Sequence, residues 1–295
     1  MPPTKKKLEE DSGLPLKRES VEPKSHGTEH GSIKNVIIIF SKVPVAGTVK
    51  TRLIQGSSLD AKDAALLAEA MLKDTIVLSA ESNASEIVIG FTPADERESM
   101  ERIVKEVVKE RHLERPITFL TQSGANFDER FGSVVSAAFA MGSENLVILG
   151  EDLPYLPPDI INRAFSFLAE DGSDNSVVLG PAGGGGIYLV GITRHFDPEC
   201  FSRNQLFSGG VEISQFIKLC KNEGRVLKLL PAFTDVDIEG DLVSLLLYID
   251  AMKIAKKFEG FYFPSYTADA ITQLRLIVVE HRGETRHRRI GIMRA

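Results

Sequence analysis

The sequence predicts an α/β protein whose mostly parallel sheet is covered by helices on both faces. From Asn35 onward, short apolar runs alternate with stretches that place apolar residues at helical spacing. The run from Val36 to Phe40 is apolar throughout, which is typical of a strand buried on both faces. An acidic residue, Asp152, ends another such run, and open sheets bind ligands at that rim. We therefore expect a doubly covered sheet with a ligand site at the carboxyl ends of its strands.

Each element of this sheet has its own pattern. Apolar runs of strand length predict strands at residues 36–40, 86–91, 117–121 and 146–149. Helical spacing of apolar residues predicts helices at 60–80, 95–111, 127–141, 158–170, 211–220 and 240–257. Asp60 is the expected cap of the first helix, because its carboxylate can accept hydrogen bonds from free backbone amides. Two β-runs, 176–180 and 187–192, are too close for a crossover helix and predict a hairpin-like excursion before an extended run at 225–230.

The composition divides the chain into three parts. Residues 1–34 are polar and poor in aromatic side chains, so we expect a disordered tail. Residues 35–257 carry the alternating pattern and are expected to form one domain. Residues 258–295 are a C-terminal appendage, in which 274–279 and 289–293 are expected to pair as a basic β-hairpin.

Charge and cysteine content exclude several classes of protein. The formal net charge is −6 over 295 residues, which argues against a nucleic-acid partner, although a local basic pocket for a small phosphate is compatible with it. Two cysteines without a metal-ligand spacing predict neither a disulfide framework nor a zinc site. No apolar run approaches the roughly 20 residues that cross a bilayer, and the first 34 residues lack a secretory core. A cytoplasmic protein without membrane contact is expected.

A basic loop follows the first predicted strand. Lys42, Lys50 and Arg52 offer cationic donors, and Gly47 permits close approach of the backbone to a ligand. The loop does not match the P-loop pattern. Phosphate binding is one interpretation, and a solvated basic loop is the other.

Acidic residues end two further predicted strands. Asp152 can anchor Mg²⁺, since this ion needs few carboxylates when phosphates and water complete its shell. The other interpretation is an acid near the start of a helix. Glu151 is the weaker candidate, because neighbouring side chains on an extended segment point in opposite directions. Asp237 lies in the turn from Thr234 to Asp241 and is predicted to meet Asp152 at the rim, whereas Asp241 is expected to support the following helix.

A glycine run lies between the two β-runs of the excursion. The segment Gly180-Pro-Ala-Gly-Gly-Gly-Gly186 does not match the dinucleotide-binding fingerprint. Gly185 and Gly186 are predicted to let a ligand lie against the backbone. A simple β-turn is the alternative.

Together these segments resemble a known family. Phe40 to Leu53, FSKVPVAGTVKTRL, is similar to the motif IFAKxPxPGxVKTRL that opens GT-A-like nucleotide-diphospho-sugar transferase proteins, including the arsenosugar-biosynthesis-type glycosyltransferase group. Gly150 to Pro154, Val178 to Gly186 and Asp235 to Leu242 resemble the family motifs GSDCP, GPAxDGGYYLIG and DVDTPEDL in the same order, so the resemblance covers roughly residues 35–249. The 2-phospho-L-lactate and molybdenum-cofactor guanylyltransferases are related.

The resemblance implies a Rossmann-like sheet of the GT-A or nucleotidyltransferase type and a set of site residues. Lys42, Lys50 and Arg52 would hold phosphates, and Asp152 and Asp237 would hold Mg²⁺ or Mn²⁺. Asp152, Lys50 and Arg52 are the expected catalytic residues.

The expected activity follows from the same resemblance. It is a Mg²⁺-dependent transfer of a glycosyl group from a nucleotide sugar to a small acceptor. Family members usually carry an acidic pair before the double glycine, where this chain has Gly183 and Gly184, so one contact to the sugar or acceptor is missing or supplied elsewhere. Two alternatives stay open: a guanylyltransferase acting on a small phosphorylated acid or cofactor precursor, and a non-catalytic nucleotide-binding module.

Overall fold

The computed structural model describes residues 34–170, 175–280 and 288–293, so residues 1–33 of the predicted tail and the loop of the predicted C-terminal hairpin lie outside the described residues. The β-strands are β1 (Asn35–Lys42), β2 (Glu86–Thr92), β3 (Ile117–Thr121), β4 (Asn145–Leu149), β5 (Ser176–Pro181), β6 (Ile187–Thr193), β7 (Val226–Leu229), β8 (Leu276–Glu280) and β9 (Arg288–Ile292). The α-helices are α1 (Thr51–Gly56), α2 (Ala61–Ala80), α3 (Arg97–Arg111), α4 (Phe127–Ala140), α5 (Pro158–Ala169), α6 (Cys200–Asn204), α7 (Glu212–Glu223), α8 (Glu239–Ile254) and α9 (Ser265–Gln273).

Strands β1 to β7 form one sheet in the order β3-β2-β1-β4-β6-β5-β7. β1 runs parallel to β2 and β4, β2 to β3, and β5 to β7. β6 runs antiparallel to β4 and β5. The predicted mostly parallel sheet is confirmed, and so is the hairpin-like excursion, because β5 and β6 are antiparallel neighbours joined by the glycine run.

Two apolar layers cover the two faces of this sheet. On one face, side chains of α2, α3, α5, α8 and α9 pack against Ile37 and Ile39 of β1. On the other face, side chains of α4, α6 and α7 pack against Val36 and Ile38. These four side chains are fully buried, which explains why β1 is apolar from Val36 to Ile39.

Helix α2 begins as its sequence predicts. The Asp60 carboxylate accepts hydrogen bonds from the backbone amides of Lys62 and Asp63, and the Asp63 carboxylate accepts one from the Asp60 amide. This reciprocal capping satisfies backbone donors that have no partner within the helix. The predicted cap is confirmed.

Helix ends and short helices differ from the prediction. Helix α7 ends at Glu223 instead of 220, and α8 ends at Ile254 instead of 257, because Ala255 takes an extended conformation. Helices α1, α6 and α9 were not expected, since each is too short for a helical period to be recognised. No helix in the described ranges is long and apolar enough to cross a membrane.

The C-terminal segment packs on the same core. β8 and β9 pair antiparallel, so the predicted hairpin is confirmed. The backbone of Ile290 accepts a hydrogen bond from the Ser58 hydroxyl (3.0 Å) and donates one to the Glu239 carboxylate (2.9 Å). Helix α9 is attached to α2 by Asp74, whose buried carboxylate accepts hydrogen bonds from the amides of Tyr266 and Thr267 and from the Thr267 hydroxyl. Through its hydrogen bonds with Ser58 and Glu239, the hairpin is attached to the segment after α1 and to the start of α8.

Candidate functional site

The basic loop leaves β1 and turns back at the carboxyl edge of the sheet. Gly47 has a φ of 83°, a left-handed conformation that glycine adopts without steric cost, and Val49 is buried beneath the loop. Lys50 precedes α1 with a φ of 48°, which is uncommon for a residue with a side chain. The two cationic side chains differ in exposure: that of Lys50 is 5% exposed, whereas that of Arg52 is 70% exposed.

A second segment reaches this edge from β4. Residues 151 and 152 form a bend directly after the strand, and Tyr155 beyond them is buried. The Tyr155 hydroxyl donates to the Thr234 carbonyl (2.5 Å), and the Val236 amide donates to the Asp152 carbonyl (2.9 Å). These bonds fix the acidic turn that precedes α8 against the loop that carries Asp152.

Two ion pairs join the basic loop to these acidic segments. The Lys50 ammonium donates to Asp152 Oδ1 and to the Val236 carbonyl, the latter at 2.7 Å. Arg52 donates to Asp237 Oδ2 at 2.7 Å. The structure therefore brings together four predicted site residues that are separated by up to 187 positions of sequence, Lys50, Arg52, Asp152 and Asp237.

Electrostatic effects are strong between these groups. Burial lowers the pKa of Lys50, but the charge and hydrogen bond of Asp152 outweigh it, so the pKa lies above the ordinary lysine value. Burial, followed by the charge of Asp152, raises the pKa of Asp237. The two carboxylates thus interact, since the charge of Asp152 disfavours the charged form of Asp237.

A cavity of about 470 Å³ opens beside the ion pairs. Part of its lining is charged and includes Lys42 along with both ion pairs. Another part, the aromatic end, consists of Phe40, Phe127, Phe131 and Phe207, with Arg130 of α4 beside them. The Asp128 carboxylate, itself buried, holds the chain at Phe207 by accepting hydrogen bonds from the amides of Phe207 (2.9 Å) and Ser208 (3.1 Å). A small molecule with an anionic and an apolar part fits such a space.

Glu151 also lines this cavity, contrary to the expectation that it would point away. The alternation of side chains applies to an extended strand, and the chain bends at Glu151 and Asp152. Burial, and then the charge of Asp152, raises the pKa of Glu151 to about 8. The site therefore contains a third carboxyl group that the sequence prediction set aside.

The donor set fits a divalent cation that arrives with phosphates. Within the described ranges, no three His, Cys, Asp or Glu side chains come together as a metal-binding group. Asp152 and Asp237 are the residues that could supply carboxylate oxygens, since Mg²⁺ needs only one or two of these when phosphate and water oxygens complete its shell. The protein alone would hold such an ion weakly.

The predicted glycine contacts lie outside the cavity wall. The lining includes neither Gly47 nor Gly185 and Gly186, although Thr48 and Ile187 beside them belong to it. The glycine run forms a tight turn, in which the Ala182 amide donates to the Gly186 carbonyl at 2.8 Å. It packs toward α7, because a Cβ atom on Gly185 would lie 2.4 Å from a methyl group of Val211.

The aromatic end of the cavity was missed by the sequence prediction. Phe127 and Phe131 are four residues apart on α4, and the sequence prediction placed a helix here without assigning either residue to the site. Phe127 is in fact 40% exposed on the cavity side of the cluster. A large aromatic residue in the first turn of a helix that follows a strand was the available signal.

Part of the sequence and the whole-sheet fold are similar to those of known proteins. A family model described as "Uncharacterized protein conserved in bacteria (DUF2064)" matches residues 75–206. No curated protein matches the sequence. A structure from Desulfovibrio desulfuricans, described as that of a nucleotide-diphospho-sugar transferase, matches 81% of this chain and 97% of its own, with 24% identity and a TM-score of 0.63.

A cytidylyltransferase from Leptospira borgpetersenii has the same architecture. It matches 82% of this chain and 94% of its own, with 15% identity and a TM-score of 0.50. At sequence identities of 24% and 15%, these similarities show a shared fold. The chain therefore shares the fold of these two proteins, and the resemblance of its motifs implied a fold of this type.

Proposed function

We propose that this protein is a transferase that binds a nucleotide or nucleotide sugar with Mg²⁺ or Mn²⁺ and moves a glycosyl group to a small acceptor. The observation that carries this proposal is the pair of cation–carboxylate contacts, Lys50 with Asp152 and Arg52 with Asp237, beside one cavity at the carboxyl edge of the sheet. Open α/β sheets bind their ligands at this edge.

The charges of the site suit phosphate groups. Lys42, Lys50 and Arg52 lie around the cavity and can donate to phosphate oxygens, with Arg52 able to do so through two parallel hydrogen bonds. The cavity volume of about 470 Å³ is within the usual range of small-molecule sites, roughly 300–1,000 Å³. Its aromatic end leaves room for a ring or another apolar part of a substrate.

The residues of the site would act by position and charge. Transfer of a glycosyl group leaves negative charge on the departing phosphate, and Lys50 and Arg52 would stabilise that charge as it develops. Asp152 and Asp237 would hold the divalent cation, which supplies further positive charge to the phosphates. This route needs no covalent protein intermediate, because the donor and the acceptor would react directly once both are bound in the cavity.

Nucleotidyl transfer is the second candidate, and the glycine run favours it. Gly183 and Gly184 are exposed and offer no side chain where related glycosyltransferases carry an acidic pair. A Cβ atom on Gly183 would lie 3.8 Å from the Asp235 carboxylate, so the turn borders the acidic segment without contributing charge to it. A site without that acidic pair binds a sugar through fewer contacts but keeps its phosphate contacts.

Thermal-shift measurements test the proposal. GDP, GTP and sugar nucleotides are added with and without Mg²⁺ to the wild type, to Asp152→Asn and to Asp250→Asn, an exposed carboxylate on α8 that serves as the control. We expect metal-dependent stabilisation of the wild type and of Asp250→Asn, and its loss in Asp152→Asn.

The products distinguish the two reactions. Release of a nucleoside diphosphate from a sugar nucleotide indicates glycosyl transfer, and release of pyrophosphate from a triphosphate indicates nucleotidyl transfer. Stabilisation by nucleotide that depends on neither the metal nor Asp152 would contradict the proposal and indicate a non-catalytic nucleotide-binding module.

A further inference from the structure

The Lys50 ammonium lies in a position lined by oxygen atoms. Its hydrogen-bond partners are a carboxylate oxygen of Asp152 and the carbonyl oxygen of Val236, and its side chain is 5% exposed. Carboxylate and carbonyl oxygens are also the ligands that Mg²⁺ and Ca²⁺ bind in proteins. The ammonium and a divalent cation would thus require the same oxygen atoms.

We infer that Lys50 is an internal competitor of the divalent cation and releases Asp152 to it only when a phosphate group offers the ammonium another partner. This inference rests on the proposed function and adds a condition to it. The nucleotide-free protein binds the cation weakly, and the cation and the phosphates are taken up together.

The burial of Lys50 explains why the cation and the phosphates would bind together. A buried ammonium that loses its anionic partner pays a large desolvation cost, and a divalent cation at Asp152 would also repel it at close range. A phosphate in the cavity would offset both the desolvation of Lys50 and its repulsion by the cation, because it accepts hydrogen bonds from Lys50 and places negative charge between the two cations.

Arg52 provides an internal comparison. It pairs with Asp237, whose side chain is 38% exposed and therefore similar to the 39% of Asp152, but Arg52 itself is 70% exposed. When a cation binds Asp237, the exposed Arg52 guanidinium can form hydrogen bonds with water instead, at little cost in free energy. Competition is therefore expected from Lys50 and not from Arg52.

Titration of the nucleotide-free protein with Mn²⁺, followed by electron paramagnetic resonance of the free ion, tests the inference. Lys50→Met removes the ammonium and keeps most of the apolar stem. We expect it to bind Mn²⁺ about tenfold more tightly than the wild type, a factor within the usual range of coupling between two ligands. Arg52→Met should change the affinity less than about threefold.

Inorganic phosphate supplies the second arm of the experiment. With excess phosphate, the Mn²⁺ affinity of the wild type should rise toward that of Lys50→Met, because the ammonium then has its other partner. If Lys50→Met is poorly folded, Lys50→Gln, which keeps a donor for the Val236 carbonyl, is titrated in its place.

An unchanged or weaker Mn²⁺ affinity in the folded Lys50 variant would overturn the inference. So would an equal gain in Arg52→Met, since exposed and buried cations would then act alike. These outcomes are independent of the nucleotide experiments, so the competition can fail while nucleotide binding stands, and nucleotide binding can fail while the competition stands.

Discussion

Replacement of Asp152 by asparagine tests whether the Lys50 pair also supports the folded state. Asparagine has nearly the same shape and can still accept a hydrogen bond, so the change removes mainly the negative charge. Lys50 would then keep its positive charge at 5% exposure with only neutral hydrogen-bond partners, and the more distant carboxyl groups of Glu151 and Asp237 would compensate it in part. We expect a measurable loss of stability, because a buried ammonium that loses its nearest counter-charge is unfavourable.

The exposure of the two side chains sets the size of this effect. Removing one partner of a fully buried ion pair costs about 3–5 kcal/mol. Asp152 is 39% exposed, so water screens part of the interaction, and we expect about 2 kcal/mol for Asp152→Asn. For a protein of this size this lowers Tm by about 3 °C. Urea denaturation followed by circular dichroism measures the free energy of unfolding directly.

Asp237→Asn is the matched control. Asp237 has almost the same exposure as Asp152, but its partner Arg52 is 70% exposed, so the variant should lose less than about 1 kcal/mol. A loss in Asp152→Asn that does not exceed the loss in Asp237→Asn would refute the reasoning, because the burial of Lys50 would then have no energetic consequence.

Three further predictions concern the fold. Burial raises the pKa of Asp74 to about 7 from 3.8, so the folded protein binds an extra proton between these values, and the free energy of unfolding should fall as pH rises through this window. Urea denaturation repeated across the window should give a shallower slope in Asp74→Asn, while the other carboxyl groups with a raised pKa maintain the rest; an unchanged slope would contradict the assignment. Gly185→Ala, which places Cβ 2.4 Å from Val211 at a φ of 87°, should cost about 1–3 kcal/mol by the same assay; no loss would show that the turn shifts freely. The Phe201 side chain is fully buried, so Phe201→Ala should lower the free energy of unfolding by about 3–5 kcal/mol. The Phe127 side chain is 40% exposed, so Phe127→Ala should lower it by less than about 2 kcal/mol; equal losses would contradict the assignment of Phe127 to the cavity wall.

The sheet was predictable because a strand buried on both faces has a continuous apolar run in its sequence. The apolar run of β1 and the helical spacing of α2 each arise from one physical requirement, and both elements lie where the sequence places them. The excursion between β5 and β6 was predictable from the short distance between two β-runs. The division into residues 1–34, 35–257 and 258–295 stays a prediction.

Short elements escaped prediction because their stability comes from distant partners. Helix α9 has nine residues, too few to show a helical period, and its first turn is held by Asp74, almost 200 positions earlier in the chain. A hydrogen bond between such remote residues leaves no trace in local sequence pattern. The same applies to α1, whose position depends on the buried Leu53.

The acidic and basic residues of the site were predictable, but their pairing was not. Each of Lys50, Asp152 and Asp237 follows a strand, so their approach at one edge follows from the topology. Whether Lys50 is buried or solvated depends on its left-handed backbone conformation, which sequence patterns do not reveal for a lysine. Glu151 was misplaced for a related reason, since the bend after β4 changes the direction of its side chain.

The central claim is that the basic loop and the two acidic segments form one phosphate and metal site. A crystal structure of the protein with GDP and Mn²⁺ tests it most directly. We predict phosphate oxygens within hydrogen-bond distance of Lys50 and Arg52, and Mn²⁺ bound to Asp152 and Asp237 after Lys50 has moved to the phosphate. A nucleotide bound elsewhere on the protein, with both ion pairs intact, would contradict the claim.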